Sequence, residues 1–124
     1  MEKTRKLEDI QCSVQQIQTK LSKLEEERNQ FSYVATEIID LCQTNFIPYR
    51  ELGYYPLPVK DEMDRLEDIE MLKSNEQLLD DFISKKKEEL KKAVTMLEDE
   101  KEELLFQQRR LESQNEEKEE KNGD

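Results

Sequence analysis

Residues 46–60, FIPYRELGYYPLPVK, differ from the rest of the chain. They contain all three prolines, four of the eight aromatic residues and one of the two glycines. On either side lie long charged stretches with helical spacing of the apolar residues and without Pro or Gly. Connections between antiparallel helices usually have about 2–8 residues. We therefore expect two helices joined by an insert that has a structure of its own.

The composition predicts how these helices use their apolar residues. The chain has 124 residues, of which 34% are hydrophobic and 41% are charged, and its net charge is −11. This length is enough for one small domain, but the apolar share is too low for a large core. The apolar residues must line a narrow seam between helices, or the chain stays disordered. The helical periodicity favours the seam.

Charge and hydropathy exclude several classes of partner. Nucleic-acid binding requires clustered Lys and Arg, whereas this chain has 31 acidic and 20 basic residues. No stretch approaches the ~20 apolar residues of a membrane-spanning helix, and no apolar signal region follows the N-terminus. We expect no nucleic acid, membrane or small molecule as a partner. The expected location is the cytoplasm, with the nucleus as a possibility.

The sequence also lacks the common catalytic and metal-binding motifs. The sequence has no histidine, no Cys-x-x-Cys and no glycine-rich phosphate loop. Cys12 and Cys42 are separated by 30 residues of one predicted helix, roughly 45 Å, which is too far for a disulfide. We expect no enzyme activity, no cofactor and no metal.

The first arm, residues 1–45, has the spacing of a coiled coil. Its two seam positions are Leu7, Val14, Leu21, Arg28, Ala35 and Cys42, and Ile10, Ile17, Leu24, Phe31, Ile38 and Asn45. Close to the insert, Tyr33, Val34, Ile39 and Leu41 add apolar residues outside these positions. A broader apolar face contacts more than one neighbour. Two alternatives follow for this broader face. It packs against the returning helix alone, or it packs on the insert or on a second subunit.

The second arm, residues 61–115, starts with acidic residues that favour a helix N-terminus. One seam position holds Ile69, Glu76, Ile83, Leu90, Leu97, Leu104 and Leu111, and its companion holds Leu72, Leu79, Lys86, Ala93, Glu100 and Gln107. Antiparallel pairing about the insert places Asn45 near Lys60 and Leu7 near Glu98. Residues from about Glu100 onward then overhang, either exposed or against another subunit. Residues 116–124 are predicted to be a charged, disordered tail.

Within the insert, apolar residues alternate with prolines at Tyr55, Leu57 and Val59, a period of two that is typical of a strand. Gly53 provides a turn between two short extended segments. Because Pro56 and Pro58 lack N–H groups, the alternatives are an edge strand, a polyproline segment or a rigid extended loop. The predicted fold is an all-α antiparallel two-helix coiled-coil hairpin with a small β-hairpin or extended insert at the connection.

This layout resembles the β-type subunits of the prefoldin family. The similarity in sequence covers about twelve residues, Tyr49–Lys60, in which Tyr49, Leu52, Gly53, Leu57 and Lys60 match the pattern of the family. Pro56 stands where that pattern has an aromatic strand residue.

The resemblance implies a non-enzymatic subunit of a hetero-oligomeric co-chaperone that holds unfolded polypeptide at the tips of its coiled-coil arms. Its partners would be other prefoldin-like or coiled-coil subunits and unfolded client chains. The implied assembly residues are Phe46, Tyr49, Leu52, Gly53, Tyr54, Tyr55, Leu57 and Val59. The implied client-binding residues are Leu7, Ile10, Val14, Leu97, Leu104, Leu105 and Phe106.

Two other functions fit the same sequence. The first is a structural coiled-coil component of a larger cytoskeletal, kinetochore or trafficking complex, with residues 54–58 as a docking peptide. The second is a long parallel homodimer interrupted by a loop. Strand pairing of residues 46–60 with another subunit would favour the prefoldin type, and an isolated loop would favour the structural component.

Overall fold

Two long helices make up the described part of the chain. The structure is a computed structural model that describes the backbone of residues 2–122 and the side-chain surroundings of residues 6–116. Helix α1 spans Glu2–Leu52 and helix α2 spans Val59–Asn122. The two helices pack against each other as a helical hairpin, which confirms the predicted helical architecture.

Of the two predicted forms of the insert, a β-hairpin or an extended segment, the β-hairpin is not seen, because residues 2–122 contain no strand. Residues 46–52 are the last turns of α1, and residues 53–58 alone connect the helices. Pro48 lies inside α1, four residues before its end, so it interrupts the helix only locally. Two short strands containing Pro56 and Pro58 would lack ladder hydrogen bonds and would be marginal without a partner.

The ends of the helices differ from the predicted ones. Helix α1 continues seven residues beyond position 45, and α2 begins at Val59 rather than at residue 61. The Glu62 N–H donates to the Pro58 carbonyl at 2.9 Å, which is the first hydrogen bond of α2. The residues of the predicted disordered tail are helical up to Asn122, and Gly123 and Asp124 lie outside the described residues.

The burial of side chains agrees with the seam predicted for α1. From Leu7 to Cys42, every predicted seam residue is buried or half-buried except Arg28. The cation at Arg28 stays in water because burying an unpaired charge is unfavourable. Asn45 is exposed as well. A 3-4 spacing of apolar residues was therefore enough to identify the packed face of this helix.

In α2, one of the two predicted seam positions is confirmed. None of its seven residues, from Ile69 to Leu111, is exposed, and Ile83 and Leu90 are buried. The companion position is right near the connection, where Leu72 and Leu79 are half-buried. Further on it is wrong at Lys86, Glu100 and Gln107, which are exposed. The residues that follow the last two, Lys101 and Gln108, are half-buried, and Val94 is buried beside the half-buried Ala93.

The chain forms two compact units. One combines Met1–Glu27 with Leu90–Asp124, and the other consists of Arg28–Glu89. In the first unit, a core of Ile17, Leu21 and Val94 has half-buried apolar neighbours. Those neighbours are Leu24, Leu97 and Leu104. In the second unit, the most buried side chains are Ala35 and Ile83, with 2% and 6% of their surface exposed.

The first unit also shows that the predicted register is wrong. The Lys101 ammonium donates to the Gln18 side-chain carbonyl at 2.6 Å, and Ile10 lines a groove with Gln107 and Leu111. Residues 101–111 therefore face α1 and do not overhang. Because α1 extends to Leu52, the turn lies later in the chain, and each α1 residue meets a later residue of α2.

This register predicts which engineered cysteines can be linked. With Cys12 and Cys42 replaced by serine, we expect the Gln18→Cys/Lys101→Cys variant to be linked within one chain by a short bis-maleimide. The linked product is expected to migrate faster in a denaturing gel. The control is Gln18→Cys/Lys87→Cys, since the register predicted from sequence places residue 87 opposite residue 18, and residue 87 lies roughly 21 Å along α2 from residue 101. Preferential linkage of the control would support the register predicted from sequence.

Candidate protein-interaction surface

The connection is closed by backbone hydrogen bonds at the end of α1. The N–H groups of Gly53, Tyr54 and Tyr55 donate to the carbonyls three residues earlier, at 3.1, 3.1 and 3.2 Å. Such bonds satisfy carbonyls that have no partner at a helix C-terminus. The aromatic residues that follow are thus held on an ordered turn.

Arg65 joins the start of α2 to the end of α1. One terminal guanidinium nitrogen donates to the Tyr49 carbonyl at 3.0 Å. The other nitrogen and Nε donate to the two carboxylate oxygens of Glu62, at 2.6 and 3.0 Å. Because the Gly53 N–H bonds to Arg50 instead, Arg65 supplies the donor that the Tyr49 carbonyl lacks. The sequence analysis missed this residue, and its only signal was the spacing of Glu62 and Arg65 by three residues within one helix.

Gly53 favours close approach at this position and does not provide an unusual backbone angle, since its φ is not positive. A Cβ at this position would lie 3.0 Å from an Arg65 nitrogen and 3.1 Å from the Arg50 carbonyl oxygen. A larger residue would displace the guanidinium. The glycine of the predicted assembly motif therefore makes room for the Arg65 contacts.

The Glu62–Arg65 pair predicts a pH-dependent contribution to stability. The hydrogen bond from Arg65 lowers the pKa of the Glu62 carboxyl. A carboxyl whose pKa is lower in the folded chain than in the unfolded chain stabilises the folded chain at pH values above the ordinary glutamate pKa of about 4.3. This stabilisation is lost as the pH falls through the lowered pKa of the folded chain. We expect Glu62→Gln to reduce the urea midpoint at pH 7 but to have little effect at pH 2.

The matched control for this experiment is Glu67→Gln, at an exposed position of the same helix. Its midpoint is expected to follow that of the unmodified chain at both pH values. A Glu62→Gln defect of equal size at pH 7 and pH 2 would mean that the charge pair is not responsible.

The predicted assembly residues lie on the last turns of α1, on the connection and at the start of α2. Phe46, Tyr49 and Leu57 are half-buried. Tyr54 and Tyr55 are 80% and 68% exposed. The remaining exposed members are Leu52, Gly53 and Val59. The structure thus presents an aromatic turn in place of the predicted strand edge.

The predicted client-binding residues lie in the first unit, mostly in its seam. Leu97 and Leu104 pack against the core of Ile17, Leu21 and Val94. The others that are half-buried are Leu7, Ile10, Val14 and Leu105. Phe106 alone among the predicted residues is mostly exposed, at 56%. Binding of a client here stays a prediction.

The exposed apolar residues are concentrated in the other unit. Within residues 6–116, thirteen of the fifteen exposed large apolar side chains belong to Arg28–Glu89. On α1 and the connection they are Tyr33, Val34, Leu41, Ile47, Leu52, Tyr54 and Tyr55. On α2 they are Val59, Met63, Leu66, Met71, Leu78 and Phe82. The sequence analysis noted Val34 and Leu41, but it missed the matching residues of α2.

Other kinds of site find no support in the described part of the chain. No group of three or more His, Cys, Asp or Glu side chains there is arranged to hold a metal ion. Cys12 and Cys42 are free thiols. Within residues 2–122, neither helix has a stretch apolar and long enough to cross a bilayer. No protein-family model, curated protein or solved structure matches the chain.

Proposed function

We propose that this chain is a non-enzymatic structural subunit of a larger protein assembly, and that residues 28–89 carry its docking surface. The observation that supports this proposal is the concentration of exposed apolar side chains in that unit. Large apolar surfaces on soluble proteins usually mark sites where another molecule binds. The first unit differs, because its apolar residues lie mostly in its own seam.

The alternative is the prefoldin-type co-chaperone that the sequence resemblance implies. That function requires residues 46–60 to form strands that pair with neighbouring subunits. In this chain residues 46–52 are helical, and the connection of residues 53–58 is closed by turn hydrogen bonds. The helical structure of residues 46–52 favours the structural subunit. The chaperone function is therefore the second candidate.

The proposed function is tested by whether the full-length chain is bound to other proteins in its native cells. We expect an epitope-tagged chain to co-sediment with a fixed set of other proteins at constant stoichiometry. Substitution of Tyr54 and Tyr55 with alanine, or of Leu78 and Phe82, should release some or all of these proteins from the tagged chain. Alanine at the exposed Met96 of the first unit is the control. A chain that sediments alone at its own mass would overturn the proposal.

The purified assembly then distinguishes the two candidates. A structural subunit is expected to leave the aggregation of a chemically unfolded client protein unchanged. Suppression of that aggregation would favour the prefoldin-type function instead.

A further inference from the structure

We propose that one side of residues 28–89 binds a basic amphipathic helix of a partner protein. This inference rests on the proposed function and specifies the chemistry of the partner. The surface consists of Val34, Leu41, Met71, Leu78 and Phe82, and we call it the g-side surface. The five side chains are 47%, 63%, 63%, 68% and 62% exposed, respectively.

Heptad geometry places the two α1 residues on one side of the seam. With Ala35 and Cys42 at position a, Val34 and Leu41 occupy g, whereas Phe46 occupies e. Positions e and g flank a coiled-coil seam on opposite sides. Val34 and Leu41 therefore lie on the side away from Phe46.

The residues of α2 lie on the same side of the helix pair. With Ile69 at position a, Lys73 occupies e, Phe82 occupies g, and Met71 and Leu78 occupy the neighbouring c position. Phe46 and Lys73 line one groove, so the e sides of the two helices face the same way. The g sides therefore face the other way together, and in antiparallel helices this brings the five apolar residues onto one face.

The dimensions of this face suit a helix. Met71 and Phe82 are separated by eleven residues, roughly 16 Å along α2. The five side chains expose on the order of 500 Å² of apolar surface, a size at which such patches are often functional. Two parallel ridges with a depression between them accept the apolar stripe of a third helix.

The charges around the face determine the sign of the partner. By helical spacing, the exposed acidic residues Glu37, Asp64 and Asp68 lie at c and g positions, on the same side as the g-side surface. The exposed basic residue Lys85 also lies on this side, at a c position of α2. From Val59 to Phe82, α2 has nine acidic and three basic residues. A partner with Lys or Arg beside its apolar stripe would pair with this rim. A second copy of the chain would bring acidic rims together, and each copy carries a net charge of −11.

The test uses the full-length chain and synthetic peptides. The probe is a fluorescent peptide of three heptads, helical in buffer, with leucine in its stripe and lysine beside it. The control peptide has glutamate in place of lysine. We expect the lysine peptide to bind at least tenfold more tightly at 150 mM salt, and its affinity to decrease with added salt.

A pair of matched variants locates the binding site. Leu78→Ala/Phe82→Ala is expected to weaken binding of the lysine peptide at least tenfold. Tyr33→Ala/Met63→Ala removes two exposed side chains that lie off the g-side surface, and it should leave the affinity unchanged. Circular dichroism of each variant verifies that the helices are retained.

Three results would overturn the inference. They are equal binding of both peptides, unchanged binding by Leu78→Ala/Phe82→Ala, and sedimentation of the purified chain as a dimer that this variant dissociates. The last result would identify a second copy as the occupant. If the native assembly persists while the lysine peptide fails to bind, the partner chemistry is wrong and the proposed function stands.

Discussion

Replacing Leu21 with alanine is expected to lower the free energy of unfolding by about 2–3 kcal/mol. Leu21 is 5% exposed and belongs to the core of Ile17, Leu21 and Val94 in the first unit. Deletion of a buried leucine removes its burial energy and leaves a cavity, with a usual loss of about 2–5 kcal/mol. The lower part of that range applies because the surrounding residues Leu24 and Leu97 are only half-buried, so water reaches part of the gap.

Urea unfolding followed by circular dichroism at the helix band measures this loss. The matched control is Met96→Ala, in the same unit, whose side chain is 71% exposed. Its expected change is within about 0.5 kcal/mol, as for most surface substitutions. If Leu21→Ala and Met96→Ala had equal effects, the seam of Ile17, Leu21 and Val94 would not be the packed core in solution.

The seam of α1 was predictable because the heptad pattern depends only on local geometry. Apolar residues that recur at three and four residues must share a helix face, whatever they pack against. The two predicted seam residues that are exposed, Arg28 and Asn45, are the polar ones. One position of α2 followed from its regular leucines for the same reason.

The companion seam of α2 and the register depend on the partner helix, so local spacing did not determine them. Ala93 and Val94 are adjacent and both apolar, and the sequence analysis chose Ala93, whereas the structure buries Val94 more deeply. The register depended in turn on the position of the turn. Because residues 46–52 were assigned to the insert and not to α1, every predicted pair across the helices was displaced.

Residues 46–60 were predicted to be a non-helical insert because both of their sequence signals argue against a helix. Alternation of Tyr55, Leu57 and Val59 is typical of a strand, and proline commonly ends a helix. Neither rule includes the cost of two short strands without a sheet to join. The contact of Arg65 with the Tyr49 carbonyl was not predictable either, since it joins residues 16 positions apart. The residues of the g-side surface required the structure for the same reason, as they come from both helices.

Replacing Pro48 with alanine is expected to raise the free energy of unfolding by about 2–3 kcal/mol. Pro48 lies within α1, where its missing N–H leaves the Thr44 carbonyl without the usual donor four residues later. Its ring also crowds that carbonyl, and proline inside a helix costs about 3 kcal/mol relative to alanine. Alanine gives the unfolded chain more conformational freedom than proline, and this offsets the gain in stability by up to about 1 kcal/mol.

Pro56→Ala is the matched control, because Pro56 lies in the connection and interrupts no helix. There the added freedom of the unfolded chain should dominate, and we expect a loss of up to about 1 kcal/mol. The two substitutions therefore change stability in opposite directions, as measured by urea midpoints. If residues 46–52 formed a strand in solution, Pro48→Ala would restore no helical hydrogen bond and would not stabilise the chain. Opposite signs for the two prolines would thus support α1 as continuing to Leu52, and with it the position of the turn on which the antiparallel register depends.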